Sequence, residues 1–133
     1  MGVYARLRIA TETYAVPVGD VLGVADLGDL TAVPGAPGEI LGVRSLRRQI
    51  LPVIDLAMVI GVRGAQPKRL LVAEAEGILA GFAVDEVTDV GELPDPAEET
   101  ESDFLVGAML YDGDLIGVID VTRIFGSLAR ADR

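Results

Sequence analysis

Leu51-Pro-Val-Ile-Asp-Leu-Ala-Met-Val-Ile-Gly61 aligns with Ile116-Gly-Val-Ile-Asp-Val-Thr-Arg-Ile-Phe-Gly126 at an offset of 65, with four identical positions and apolar residues at most of the others. In each copy a β-branched run meets an Asp and passes into an apolar stretch ended by Gly, the pattern of a strand entering a short capped helix. Upstream, Tyr14-Ala-Val-Pro-Val-Gly-Asp-Val21 matches Ala80-Gly-Phe-Ala-Val-Asp-Glu-Val87 at an offset of 66. The chain reads as a tandem duplication, one unit over about residues 1–66 and the other over about 67–133 of a single domain. Chance likeness between two generic strand-Asp-helix units is the competing account. A unit of about 65 residues with five short strands buries its apolar face poorly as an open sheet, and well once it curls into a small barrel. The expected fold class is therefore mainly β: two five-stranded barrels sharing one hydrophobic core, with a few short helices.

Working outward, Val3, Ala5, Leu7 and Ile9 alternate with Tyr4, Arg6 and Arg8, which predicts a half-buried first strand. Further β-type runs fall at residues 14–18, 40–46, 49–54, 70–74, 78–84, 105–111 and 114–119. Asp112-Gly113 between Leu110-Tyr111 and Leu115-Ile116 predicts a tight hairpin, because Gly supplies positive φ. Pro34-Gly-Ala-Pro-Gly38 reads as a loop, and residues 93–103 as a second, acidic and mobile one. Short helices are expected over 18–24, 56–61 and 121–129.

The chain has 133 residues, half of them apolar and 24% charged, which excludes intrinsic disorder, and no apolar run is long enough to span a membrane. It contains neither Cys nor His, so disulfides, thiolate nucleophiles, imidazole bases and zinc sites built from those ligands are excluded. The first residues lack an apolar signal core, and Arg6 stands where a myristoylation motif requires Ser or Thr. A cytoplasmic location is expected. Residues 1–69 hold six acids and eight bases, whereas residues 70–122 hold fourteen carboxylates and no Lys or Arg. Such a surface repels phosphates, so nucleic acid is not expected as a partner. The acidic half either presents a face to a basic partner patch or simply keeps an apolar-rich chain in solution.

Candidate chemistry is sparse. Asp55 and Asp120 occupy equivalent repeat positions and invite a reading as a carboxylate pair. Each also opens a predicted helix, where it would accept first-turn N–H bonds, and capping is the reading preferred here. The acidic run Glu98-Glu-Thr-Glu-Ser-Asp103 reads better as a solvated loop than as a hard-cation site, and Asp112-Gly-Asp114 lacks the remainder of a calcium loop. No glycine-rich phosphate cradle is present, and Ser45, Ser102 and Ser127 have no base to activate them. No cofactor and no metal are expected. Arg44, Arg47 and Arg48 remain, with Leu41, Val43 and Leu46 beside them. They form either a fork that docks on another protein's carboxylates or an ordinary solvated hairpin.

The run Gly38-Glu-Ile-Leu-Gly-Val-Arg-Ser-Leu-Arg-Arg-Gln-Ile-Leu-Pro-Val-Ile-Asp-Leu56, with Tyr14-Ala-Val-Pro-Val18 and Val33-Pro-Gly-Ala-Pro37 before it, resembles the CheW family of chemotaxis coupling proteins. Val84-Asp-Glu-Val87 and Leu115-Ile-Gly-Val-Ile-Asp120 look like the family's later barrel strands. The resemblance implies two five-stranded SH3-like β-barrels around a shared core and no enzymatic activity. Its implied partners are the regulatory domain of the histidine kinase CheA and the cytoplasmic tips of methyl-accepting chemotaxis receptors. The protein would not insert into the membrane itself but would be recruited to receptor arrays through those partners. By resemblance, Val21, Gly23, Leu41, Gly42, Arg44, Arg47 and Arg48 form the receptor and kinase interface. This chain departs from the family pattern at Ser45, where the motif has Asn, at Arg48, where it has a turn Gly, and at Gly23, where an acid is frequent. A small-ligand sensor built on the same barrel pair is the alternative reading.

Overall fold

The computed structural model describes residues 1–99 and 102–131. The first half of the chain forms β1 (Gly2–Ile9), β2 (Glu12–Pro17), β3 (Val21–Asp26), β4 (Ile40–Leu46), β5 (Gln49–Asp55) and α1 (Leu56–Ile60). The second half forms β6 (Arg69–Ala75), β7 (Ile78–Val84), β8 (Glu86–Leu93), the two-residue β9 (Glu98–Glu99), β10 (Leu105–Tyr111), β11 (Asp114–Ile119) and α2 (Val121–Ala131). Two sheets result, in the orders β8-β1-β2-β11-β10-β9 and β3-β6-β7-β5-β4. The fold is mainly β, as expected.

The sheets are not the two halves of the chain. Each takes a two-strand hairpin from one half and three main strands from the other. They are nevertheless built alike: β2 and β11 run parallel, as do β7 and β5, and every other pairing is antiparallel. The irregularities match too. A register shift falls between Val21 and Gly23 on β3, and its counterpart between Arg6 and Leu7 on the β1 side of the β1/β8 pair. A second falls between Ile40 and Gly42, and its counterpart between Leu105 and Gly107. Such bulges bend a ladder, which a curled sheet needs.

Neither sheet closes through a continuous ladder. In the β3-to-β4 sheet the chain leaving β3 returns to the far edge, where Thr31 and Val43 exchange both backbone bonds (2.9 and 2.8 Å). In the other sheet β9 meets β10 in the corresponding way. The curl is of the SH3-like kind, sealed by a connecting segment.

Alternation along the strands explains why both faces are buried. Leu51, Val53, Leu70, Val72 and Ala83 line the inside of one curled sheet, and Tyr4, Ala15, Leu93, Met109, Ile116 and Val118 the inside of the other. The opposite faces meet in a shared core that includes Leu7, Ile9, Val16, Ile54, Leu71, Phe82, Val84 and Ile119. The two helices seal it with Leu56, Ile124 and Phe125, and the Phe125 ring stacks on Phe82 at 5.8 Å. Each such side chain, fully buried, contributes about 1.5–3 kcal/mol.

Two expectations need correction. The helix expected over 18–24 is a single 3-10 turn, Val18–Asp20, followed by β3. Pro17 at its N-cap offers no side-chain acceptor, and alternation of half-buried Val21, Gly23 and Ala25 with exposed Leu22, Val24 and Asp26 favours pairing with β6. The acidic loop expected over 93–103 contains β9, and Thr100 and Glu101 of that run lie outside the described residues. β8 is an element not anticipated. The tight turn at Asp112-Gly113 is present, with φ of 52° and 85°. No helix among the described residues is long and apolar enough to cross a membrane.

Candidate functional site

The conspicuous carboxylates are structural. Asp55 accepts the Met58 N–H at 3.4 Å and Asp120 the Arg123 N–H at 3.0 Å, so each caps its helix. Ser102 Oγ accepts the N–H groups of Phe104 and Leu105. Among the described residues no group of Asp and Glu is arranged to hold a metal ion.

The residues singled out by resemblance separate into three groups. Arg47 and Arg48 form the two-residue turn between β4 and β5, and both take positive φ, 49° and 67°. That is a type I′ hairpin, whose twist matches the flanking strands. Arg48 thus adopts a left-handed conformation that glycine takes freely, at an energetic cost. Both arginines are exposed, and neither makes an ion pair with a described residue. Arg47 borders a groove of about 150 Å³ between this hairpin and β3, walled by Leu22, Gly23, Val24, Leu46 and Val72. The structure thus brings Arg47 and Gly23 together.

Gly42 and Arg44 lie apart from that groove. Gly42 is buried where the sheet seals, and a Cβ there would stand 2.5 Å from the Thr31 carbonyl oxygen. Arg44 lies over Gly28 in the β3–β4 connection, with its Nε 2.5 Å from where a Gly28 Cβ would be. The basic cluster expected from the sequence is therefore divided. Val21 packs half-buried against the shared core, and Leu41 is exposed on β4.

The equivalent place in the other sheet is occupied. Val72 and Gly23 are register partners, and their counterparts are Arg6 and Asp89. Arg6 donates to both Asp89 oxygens (2.7 and 2.5 Å) and lies 5.6 Å from the Tyr111 ring centroid. Tyr111 in turn corresponds to Leu46 at the 65-residue offset. The hydrogen bonds from Arg6 hold the Asp89 carboxyl below its ordinary range, and Asp89 holds the guanidinium above its own. This contrast between a filled and an open site was readable from the offset, had Gly23 been set against Asp89.

Sequence reasoning also missed Asp85, which is buried at the junction of β7 and β8. One of its oxygens accepts the N–H groups of Ala10 and Gln66.

Two curled sheets fused back to back, with an open groove bordered by Arg47, which makes no ion pair with a described residue, define a double SH3-like module suited to contact with other proteins. The chain belongs to the CheW-like domain family, whose model matches residues 4–129. It is similar to the chemotaxis protein CheW of Rhizobium meliloti (strain 1021), with 27% identity over 134 residues, 92% of this chain and 86% of that protein. The probable chemotaxis protein CheW of Rhizobium etli is 31% identical over 129 residues, 89% of this chain and 83% of that protein. Among solved structures, the scaffolding protein TtCheW from Thermoanaerobacter tengcongensis superposes with a TM-score of 0.80 at 28% identity, covering 90% of this chain and 84% of that one.

Proposed function

We propose that this protein is a non-catalytic coupling adaptor that links methyl-accepting chemotaxis receptors to the histidine kinase CheA. It works in the cytoplasm and reaches membrane receptor arrays through these partners: the receptors' cytoplasmic tips and the kinase's regulatory domain. The match of the CheW-like model over residues 4–129 carries the reading. An adaptor of this kind holds its binding surfaces in fixed geometry. Contacts that differ between receptor states then shift the kinase's conformational balance, typically by about 1–3 kcal/mol. A shared core spanning both sheets supports that rigidity.

Within the interface we assign the leading role to Arg47, which borders the groove with Gly23 opposite. A guanidinium with no carboxylate partner among the described residues can form a forked pair with one from another protein. Arg48 adds charge at the hairpin tip, Gly42 keeps the sheet that carries the hairpin sealed against Thr31, and Val21, Leu41 and Arg44 lie on the same sheet outside the groove, where any contact with a partner is secondary. The test is pull-down of the full chain with CheA and receptor fragments. Arg47→Ala should weaken capture of one partner at least several-fold while the unfolding midpoint stays unchanged. Unchanged capture would remove Arg47 from the interface, and failure of the wild-type chain to capture either partner would overturn the adaptor reading.

A further inference from the structure

The two halves of the chain diverge after their helices. α1 ends at Gly61, which takes a φ of 79°, and the chain doubles back beside the β1–β2 turn. There Val62 and Ala65 pack against the shared core, a Cβ on Gly64 would stand 4.0 Å from that of Ala10, and the Gln66 N–H bonds to Asp85. Gly126 is the counterpart of Gly61 at the 65-residue offset, yet α2 runs on through it to Ala131. The β6–β7 turn in turn matches the β1–β2 turn, with Glu76 (φ 52°) in the place of Ala10 (φ 54°). No described residue after Gly126 doubles back to it, and a cleft of about 360 Å³ stays open between that turn and α2. Ala75, Ile78 and Phe125 line the cleft together with two exposed carboxylates, Glu76 and Asp103. Neither carboxylate makes an ion pair with a described residue. Arg123 also lines it, but its guanidinium is engaged by Asp120 and by the Ser102 and Leu105 carbonyls. At the filled place the corresponding positions are Ala10 and Gly38, which carry no charge.

We propose that the cleft between the β6–β7 turn and α2 seats an extended basic segment of a partner protein, laid beside that turn as residues 62–66 lie beside the β1–β2 turn. Small and apolar side chains of the segment cover Ile78, which is 49% exposed, while its Lys or Arg residues meet Glu76 and Asp103. The chain's own residues 62–66 supply the pattern for the extended backbone. The two carboxylates, which the filled place lacks, set the charge of the occupant. A second copy does not supply the segment, because its residues 62–66 are already held by Asp85 and the shared core. The inference does not depend on the adaptor reading, since it rests only on the contrast between the two halves.

The probe is a synthetic peptide with capped ends and the sequence of residues 61–68, Gly-Val-Arg-Gly-Ala-Gln-Pro-Lys, titrated into the isotopically labelled full chain and followed by NMR. The peptide should shift the amide signals of Glu76, Ile78, Phe125 and Gly126 saturably, and salt should weaken its binding. Glu76→Lys with Asp103→Lys should weaken binding at least tenfold, and so should a peptide with Glu in place of its Arg and Lys. Ile78→Ser, which keeps both carboxylates, should weaken it several-fold. Thermal melts verify that each variant is folded. Absence of saturable shifts, shifts centred elsewhere on the protein, or a folded double variant that binds like wild type would each overturn the proposal. Full binding by Ile78→Ser would reduce the contact to charge attraction at the surface and overturn it as well.

Discussion

Asp85 and Gln66 are joined by a 3.0 Å hydrogen bond from the Gln66 N–H to Asp85 Oδ2, the same oxygen that accepts the Ala10 N–H at 3.1 Å. Asp85 is 5% exposed and stands where the chain crosses from one sheet to the other, with Arg8 Nη1 3.6 Å away. It therefore ties the β1–β2 turn to the connection between α1 and β6. Asp85→Ala leaves two backbone donors without their acceptor, and urea unfolding should show a loss of about 3 kcal/mol. Asp85→Asn keeps an acceptor oxygen and should lose less. An alanine variant as stable as wild type would show that the carboxylate ties nothing.

Gly42 separates stability from recognition. A methyl group there would meet the Thr31 carbonyl at 2.5 Å, so Gly42→Ala must push apart the strands that seal the sheet. Differential scanning calorimetry should register a loss of about 2–4 kcal/mol. Any accompanying loss of partner binding should track the fraction unfolded, in contrast to Arg47→Ala. A Gly42→Ala chain of native stability would contradict this account of the seal.

Arg48 carries a cost that glycine would remove. Its φ of 67° is a left-handed conformation that costs a side-chain-bearing residue about 1–2 kcal/mol. Part of the gain in Arg48→Gly is offset by the freer unfolded chain, so chemical denaturation should show a net stabilisation of about 0.5–1 kcal/mol. A destabilised glycine variant would mean that the Arg48 side chain makes a compensating contact.

Tyr14 sets an alkaline limit. Burial, followed by the nearby Glu12 carboxylate, pushes its phenol up to about 12. The folded state thus holds this proton more tightly than the unfolded chain, where a tyrosine titrates near 10. Its contribution to stability is fully present below about pH 10 and is lost as pH rises towards 12. Unfolding midpoints measured between these values should fall with a steeper slope for wild type than for Tyr14→Phe. Equal slopes would refute the assignment.

The residues made much of this fold legible. Duplicated strand-Asp-helix units, two capping aspartates and the Asp112-Gly113 turn all rest on local patterns, and each is present as read. What escaped was long-range or masked by charge. β8 presents Glu86, Thr88, Asp89 and Val90 to solvent, so its alternation is faint. It is held at the sheet edge by Arg6–Asp89 and Arg8–Glu86 pairs to β1. Which hairpin joins which sheet depends on partners roughly eighty to ninety residues apart, as between β1 and β8, and no local periodicity encodes that. At the groove, Arg47 was legible as an exposed arginine in a hairpin. Arg44 was not separable from it, because its departure depends on Gly28, a residue with no side chain to keep the guanidinium away.

The exchange of hairpins between the halves also sets an order of events during synthesis. All strands of the β3-to-β4 sheet exist once residue 84 has left the ribosome, so that sheet can assemble while the rest is still being translated. The hairpin of β1 and β2, made before anything else, has no sheet to join until β8, β10 and β11 emerge. The oldest part of the nascent chain is thus the last to be sheltered, and it must carry Tyr4 and Ala15, whose buried neighbours Leu93, Met109, Ile116 and Val118 come later, unprotected until then.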